Sequence, residues 1–165
     1  MPTKSLEDLF LDQLKDTYYA ERKILKALPK MMRGAQAEKL KAAFAKHADE
    51  TEEHVARLQQ IFEIMGRPAR GKTCPAIDGI LEEGEEILQG YQGSNALDAG
   101  LISSAQAVEH YEIARYGTMC RWAKLLGMDE AVTLLKQTLS EEESTDKSLS
   151  DLADGSINQA ALQAA

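Results

Sequence analysis

The apolar residues of this chain recur every three or four positions and nowhere every second one. That period buries one stripe of an α-helix and does not suit a half-buried strand, so the spacing predicts an all-α fold. Four prolines and eleven glycines interrupt the pattern at only a few places. The first helix is expected to start at Ser5, with Asp8 as its capping-box partner. Its stripe runs through Leu6, Leu9, Phe10, Leu14, Tyr18, Leu25, Leu28, Met31 and Met32. Pro29 falls inside that stripe and is expected to kink the helix or end it early. A second helix is predicted over about 37–65, a short acidic helix near 77–91, and a third long helix from just after Ser94 or Asn95 to before Gly127. The fourth long helix spans about 129–153 and leaves a short mobile tail.

Short connections at 34–37 and 126–129 make two antiparallel hairpins, and about thirty residues carry the chain back between them. Short, long, short is the connection order of a ferritin-like four-helix bundle with one long crossover, here carrying the extra short helix. At 165 residues the chain reads as one such domain, with the bundle over about 5–153. Acids outnumber bases 27 to 19, for a net charge of −8. This makes nucleic acid and anionic membrane surfaces poor partners. There is no bilayer-length apolar run and no basic-then-apolar leader, and Cys74 and Cys120 lack disulfide or zinc-knuckle spacing. A reducing, cytoplasmic location is the expectation.

Several of the acids fall on the apolar stripes. Glu21 lies seven residues after Leu14 and seven before Leu28, a core position in the first helix. In the second, His47 is seven after Leu40, His54 seven after that, and Glu50 one turn from both. In the third, Glu112 is seven before Met119, and Glu109 lies one turn earlier at the edge of the same face. In the fourth, Glu142 is seven after Leu135, and Asp146 seven after Leu139; Glu141 and Glu143 flank that face. Six inward acids on four helices cost several kcal/mol each unless compensated, on the order of the penalty for a buried ion. Most bases lie on outward positions, with Arg115 the best interior exception. Two divalent cations bridged by the carboxylates would neutralise four charges, and ferritin-like bundles hold two metals this way, with a Glu-x-x-His from each of two helices. Here the second helix offers His47-x-x-Glu50, the reverse order, or Glu50-x-x-x-His54. The fourth offers Glu142-x-x-x-Asp146, with no histidine. The mostly oxygen donor set suits iron first and manganese second. Tyr18, Tyr19, Tyr111 and Tyr116 are read as packing aromatics whose hydroxyls bond carboxylates, and Cys120 as a small core residue. Arg67, Arg70 and Lys72 are read as a solvated loop.

The strings LEDLFLDQLKDTYYAERKILKALP, HADETEEHVARL, KTCPAIDGILEE, QAVEHYEIARYGT and LLKQTLSEEESTDKSLSDLA resemble the YciE/YciF-type bacterial stress proteins over about residues 5–153. The resemblance implies a ferritin-like, metal-binding stress-response protein that forms dimers of four-helix-bundle subunits. It maps the core acids onto Glu21, Glu50, Glu109, Glu112, Glu142 and Asp146, with His47 beside them, and ranks His54 below His47. The function expected is a di-iron or di-manganese protein that consumes peroxide or dioxygen, or oxidises Fe(II). The alternative is a structural or interaction dimer whose metal site is vestigial. With six acids inside, 21 acids face 19 bases outside, so the acidic balance describes the interior more than the surface.

Overall fold

The computed structural model describes residues 2–163. Four long helices form the bundle: α1 (Leu6–Gly34), α2 (Glu38–Ile64), α4 (Leu97–Leu125) and α5 (Asp129–Leu152), with α3 (Pro75–Gly90) in the crossover between α2 and α4. Around the bundle α1 adjoins α2, α2 adjoins α5, α5 adjoins α4, and α4 closes onto α1, while α3 lies outside against α1 and α4. The ferritin-like order read from the spacing is the one the chain adopts.

Local chemistry sets the helix ends. Ser5 and Asp8 form the expected reciprocal capping box at the start of α1. Helix α2 follows the N-cap residue Ala37, which has no side chain to cap it. Asp98 of α4 supplies the missing acceptor: its two carboxylate oxygens accept from the backbone N–H groups of Gln36 and Ala37 at 2.8 and 2.7 Å. This bond pins the α1–α2 turn to the N-terminus of α4, so α4 runs parallel to α2 and antiparallel to α1. Close approach seats α3. A Cβ on Gly100 would lie 2.6 Å from Ile87, and one on Gly34 only 2.2 Å from Leu88. The Tyr19 hydroxyl bonds Asp78 at 2.8 Å and ties α3 to α1.

Two expectations are corrected. Pro29 does not end α1, which continues to Gly34: proline's fixed φ is helical, and although its ring removes one N–H bond and crowds the carbonyl of Leu25, buried Leu28 and Ala35 hold the last turns in the core. On the α1 stripe, Ile24 is buried in place of Leu25, and Leu9 is exposed. Beyond α5 the chain continues as helix and is described through Gln163. After α5 a π-helical turn (Ala153–Ile157) leads into α6 (Asn158–Ala161). Ile157 is buried against the end of the bundle, and the Asn95 amide bonds the Gln163 carbonyl at 3.1 Å. Residues 164 and 165 lie outside the described residues.

The apolar interior is split in two. One cluster gathers Phe10, Leu14, Leu58, Phe62, Met119 and Leu135 towards the start of α1; the other gathers Ile24, Leu28, Leu40, Phe44, Leu101 and Leu149 towards the α1–α2 turn. The layer between them is polar.

Candidate metal centre

Each long helix contributes to that layer because its heptad stripe carries a polar residue at mid-length. Glu21 comes from α1, His47 and His54 from α2, Glu109 and Glu112 from α4, and Glu142 from α5. All four carboxylates are 1% exposed or less, His54 is fully buried and His47 is 4% exposed. Their donor atoms fall into two groups, each gathered within 4.8 Å: Glu21, His54, Glu112 and Glu142 in one, His47, Glu109 and Glu142 in the other. Glu142 belongs to both.

Five of the seven residues singled out from the sequence are brought together here: Glu21, His47, Glu109, Glu112 and Glu142. Glu50 and Asp146 are not. Glu50 sits at the α2–α5 seam, held by Lys46 and Thr145. Asp146 is engaged by Gln106 at 3.2 Å and by His110 at 3.2 Å. At 100° per residue Glu50 lies about 40–60° from His54 and His47, and Asp146 about 40° from Glu142, so both fall to the side of their faces and meet partners at the rim. His54, ranked below His47 in the sequence reading, takes the central place on α2. Its Nδ1 lies 2.9 Å from Glu142 and 3.4 Å from Glu21.

Sequence reasoning also missed what holds His54. Its Nε2 is 2.9 Å from Glu141 Oε2, and Arg57 grips the same carboxylate through Nη1 at 2.5 Å and Nη2 at 2.9 Å. Arg57 also donates to Thr138. The spacing His54-x-x-Arg57 was a legible sign of a base on the inner face. Arg115, expected as the interior base, instead stacks over the Tyr111 ring at 5.1 Å. Tyr116 behaves as expected, its hydroxyl donating to Glu21 Oε1 at 2.6 Å. Cys120 is buried, as expected, and so is Cys74, whose sulfur lies 3.0 Å from the Tyr111 hydroxyl. Arg67, Arg70 and Lys72 are exposed.

Known proteins share this arrangement of helices. Residues 5–162 match the family described as Domain of unknown function (DUF892). The chain belongs to this family. The DUF892 chain is 41% identical to protein YciF of Escherichia coli (strain K12) over 162 residues, 98% of each chain. The crystal structure of that E. coli stress protein superposes with a TM-score of 0.90, covering 95% of this chain and 99% of the other. YcfI from Rhodopseudomonas palustris is 44% identical, with a TM-score of 0.87 over 89% and 94% of the two chains. A Xanthomonas campestris protein, 17% identical with a TM-score of 0.74 over 94% of each chain, shares the fold alone.

The polar layer of this DUF892 chain is short of partners. Of eleven buried side-chain N and O atoms without a hydrogen bond among the described residues, nine belong to Glu21, His47, His54, Glu109, Glu112 and Glu142. His47 Nε2 comes within 3.0 Å of Glu109, and His54 Nδ1 within 2.9 Å of Glu142, but neither pair is aligned as a hydrogen bond. Buried polar atoms are otherwise paired in nearly every case. Unpaired oxygen and imidazole donors converging from four helices fit a pair of divalent cations, and four carboxylates match their charge.

Without a metal, protons must do that work. Burial, with Glu142 and Glu21 alongside, pushes the Glu109 and Glu112 carboxyls well above the usual range. Burial also acts to raise Glu142, but the carboxyls of Glu112 and Glu109 and the His54 ring outweigh it and hold Glu142 low. Burial lowers His54 as well, yet Glu142 and Glu21 together carry it up to about 10. Groups raised on folding stabilise the fold below their unfolded pKa and lose that contribution as pH rises through the folded value. Glu109, Glu112 and His54 therefore all weaken the metal-free fold on the alkaline side. Lowered Glu142 and Glu141 weaken it on the acid side. Thermal unfolding in EDTA should give the highest Tm in mild acid, at about pH 5–6, and a steady fall towards pH 9. A Tm that is flat from pH 5 to 9 would show that the layer does not titrate in this way.

Proposed function

We propose that this chain is a ferritin-like stress protein whose bundle core binds two divalent ions, iron first and manganese second. The observation that carries the proposal is the convergence of nine unpaired buried donor atoms from four helices. Glu21, His54 and Glu112 would hold one ion, His47 and Glu109 the other, and Glu142 would bridge them. A bound pair of such ions supplies redox and Lewis-acid chemistry for reducing a small oxidant, peroxide or dioxygen, or for oxidising Fe(II) as substrate. The likeness to the E. coli stress protein YciF supports the stress assignment, and the proposal includes a cytoplasmic homodimer.

The chain's own residues prepare the site. Arg57 fixes Glu141, Glu141 accepts from His54 Nε2, and Nδ1 is thereby left to face Glu21 and Glu142. A carboxylate behind a ligating imidazole fixes its tautomer and raises its basicity. The Tyr116 hydroxyl orients Glu21 and keeps a donor beside it. The two apolar clusters above and below exclude water, which strengthens every charge interaction in the layer.

A second reading is favoured by His54 alone. Charged between Glu21 and Glu142, it acts as an internal cation, and with Glu109 and Glu112 protonated the layer could stand without metal in a structural or interaction protein. The two readings separate on anaerobic titration of metal-free protein with Fe(II). The metal reading gives about two tightly bound ions per chain and a spectral change on adding peroxide. Fewer than about one ion per chain, with no response to peroxide, favours the structural reading. Within the metal reading, Glu141→Ala should lower metal affinity by about 10–100-fold while keeping the helical fold. Unchanged affinity would remove Glu141 from the role given to it.

A further inference from the structure

Glu50 is the acid that spacing puts in the core and the fold puts at its edge. One carboxylate oxygen lies 3.3 Å from Lys46 Nζ, and the other accepts from Thr145 Oγ1 at 3.3 Å. The Lys46 side chain is 69% exposed and the Glu50 side chain 22% exposed, so the pair spans the boundary between solvent and core. Beneath it lies a cavity of about 30 Å³, with Lys46, Glu50 and Ser148 among its walls. Its walls Ala43, His47, Thr145 and Leu149 also line a second cavity of about 20 Å³, which reaches Glu109. His47 is 4% exposed, lines both cavities, and has no hydrogen-bond partner for either ring nitrogen. Polar groups thus succeed one another from solvent to core: Lys46, Glu50, Thr145, His47, Glu109.

Resting on the metal-binding reading above, the geometry points to Glu50 as the carboxylate that admits divalent cations between α2 and α5 to the position formed by His47, Glu109 and Glu142. A hydrated cation gives up its water only where other oxygen or nitrogen donors replace it. The remaining walls of the inner cavity, among them Ile24, Leu28 and Phe44, offer none. Glu50 is the acid at the outer opening, and Thr145, which lines both cavities, holds one of its oxygens. Lys46 is a tethered cation on the same carboxylate. An arriving ion displaces it from the carboxylate, so Glu50 keeps a cationic partner whether or not an ion is passing.

The role of Glu50 in admission, as opposed to ligation, is read by uptake rate set against final occupancy. Stopped-flow absorbance follows Co(II) entering metal-free wild type, Glu50→Gln and Lys46→Met, and metal analysis gives the end point. At low salt, Glu50→Gln should slow uptake by about tenfold, the scale of electrostatic focusing into a charged opening. Lys46→Met should speed it, and both variants should reach wild-type stoichiometry and affinity. Salt should compress the differences. Equal rates for all three proteins overturn the route, and a Glu50→Gln protein with fewer ions or weaker binding at equilibrium makes Glu50 a ligand instead. A wild-type chain that takes up no Co(II) overturns the metal reading and the route with it, whereas normal uptake at unchanged rates overturns the route alone.

Discussion

Four glutamates and two histidines share one layer in the middle of an otherwise apolar bundle, and the design of the chain turns on how their charge is balanced. Removing a carboxylate from water costs several kcal/mol after relaxation, about the whole net stability of a small domain for each two or three such groups. Each of the four is essentially unexposed, and their unpaired atoms face one another. The layer interrupts the core, leaving one apolar cluster on either side. No part of the folding energetics improves by placing these acids here. The proposed cation site would account for their placement, with the two apolar clusters supplying the stability that the layer withholds.

The supports around the layer follow from the same constraint. A side chain that is to hold an ion works best with its orientation fixed beforehand, and the chain fixes two of the six in different ways. Glu21 is held by the Tyr116 hydroxyl, and His54 by the Glu141–Arg57 pair. Glu142 stands between the two groups and is shared by both. The bundle must also hold its helices in register, since a slip of one turn would separate residues that meet only at one depth. The bond from Asp98 to the α1–α2 turn and the packing of α3 on Gly34 and Gly100 serve that register from a distance.

Much of this was legible in the sequence because helical burial is periodic. Seven-residue spacing put Glu21, His47, Glu112 and Glu142 on the correct faces, and loop lengths gave the order of connections. Spacing failed where the angular margin was small. Glu50 and Asp146 lie near enough to their stripes to look internal, yet at that angle they reach the rim and pair with Lys46, Thr145, Gln106 and His110. Arg57 escaped because a long side chain can bury its stem and still deliver its charge to a partner. The same ambiguity hid Glu141, which flanks its face yet reaches His54. Pro29 does not end α1 because its cost, one lost bond and a crowded carbonyl, is local, while the packing that keeps α1 going is spread over the hairpin.

Crystals of the chain loaded with Mn(II) would show directly whether the layer is a cation site. Anomalous scattering should give two peaks in the bundle core, about 3.5–4 Å apart. One should lie among Glu21, His54 and Glu112, the other between His47 and Glu109, with Glu142 reaching both. A core without anomalous density at saturating Mn(II), with the six side chains unmoved, would contradict the assignment.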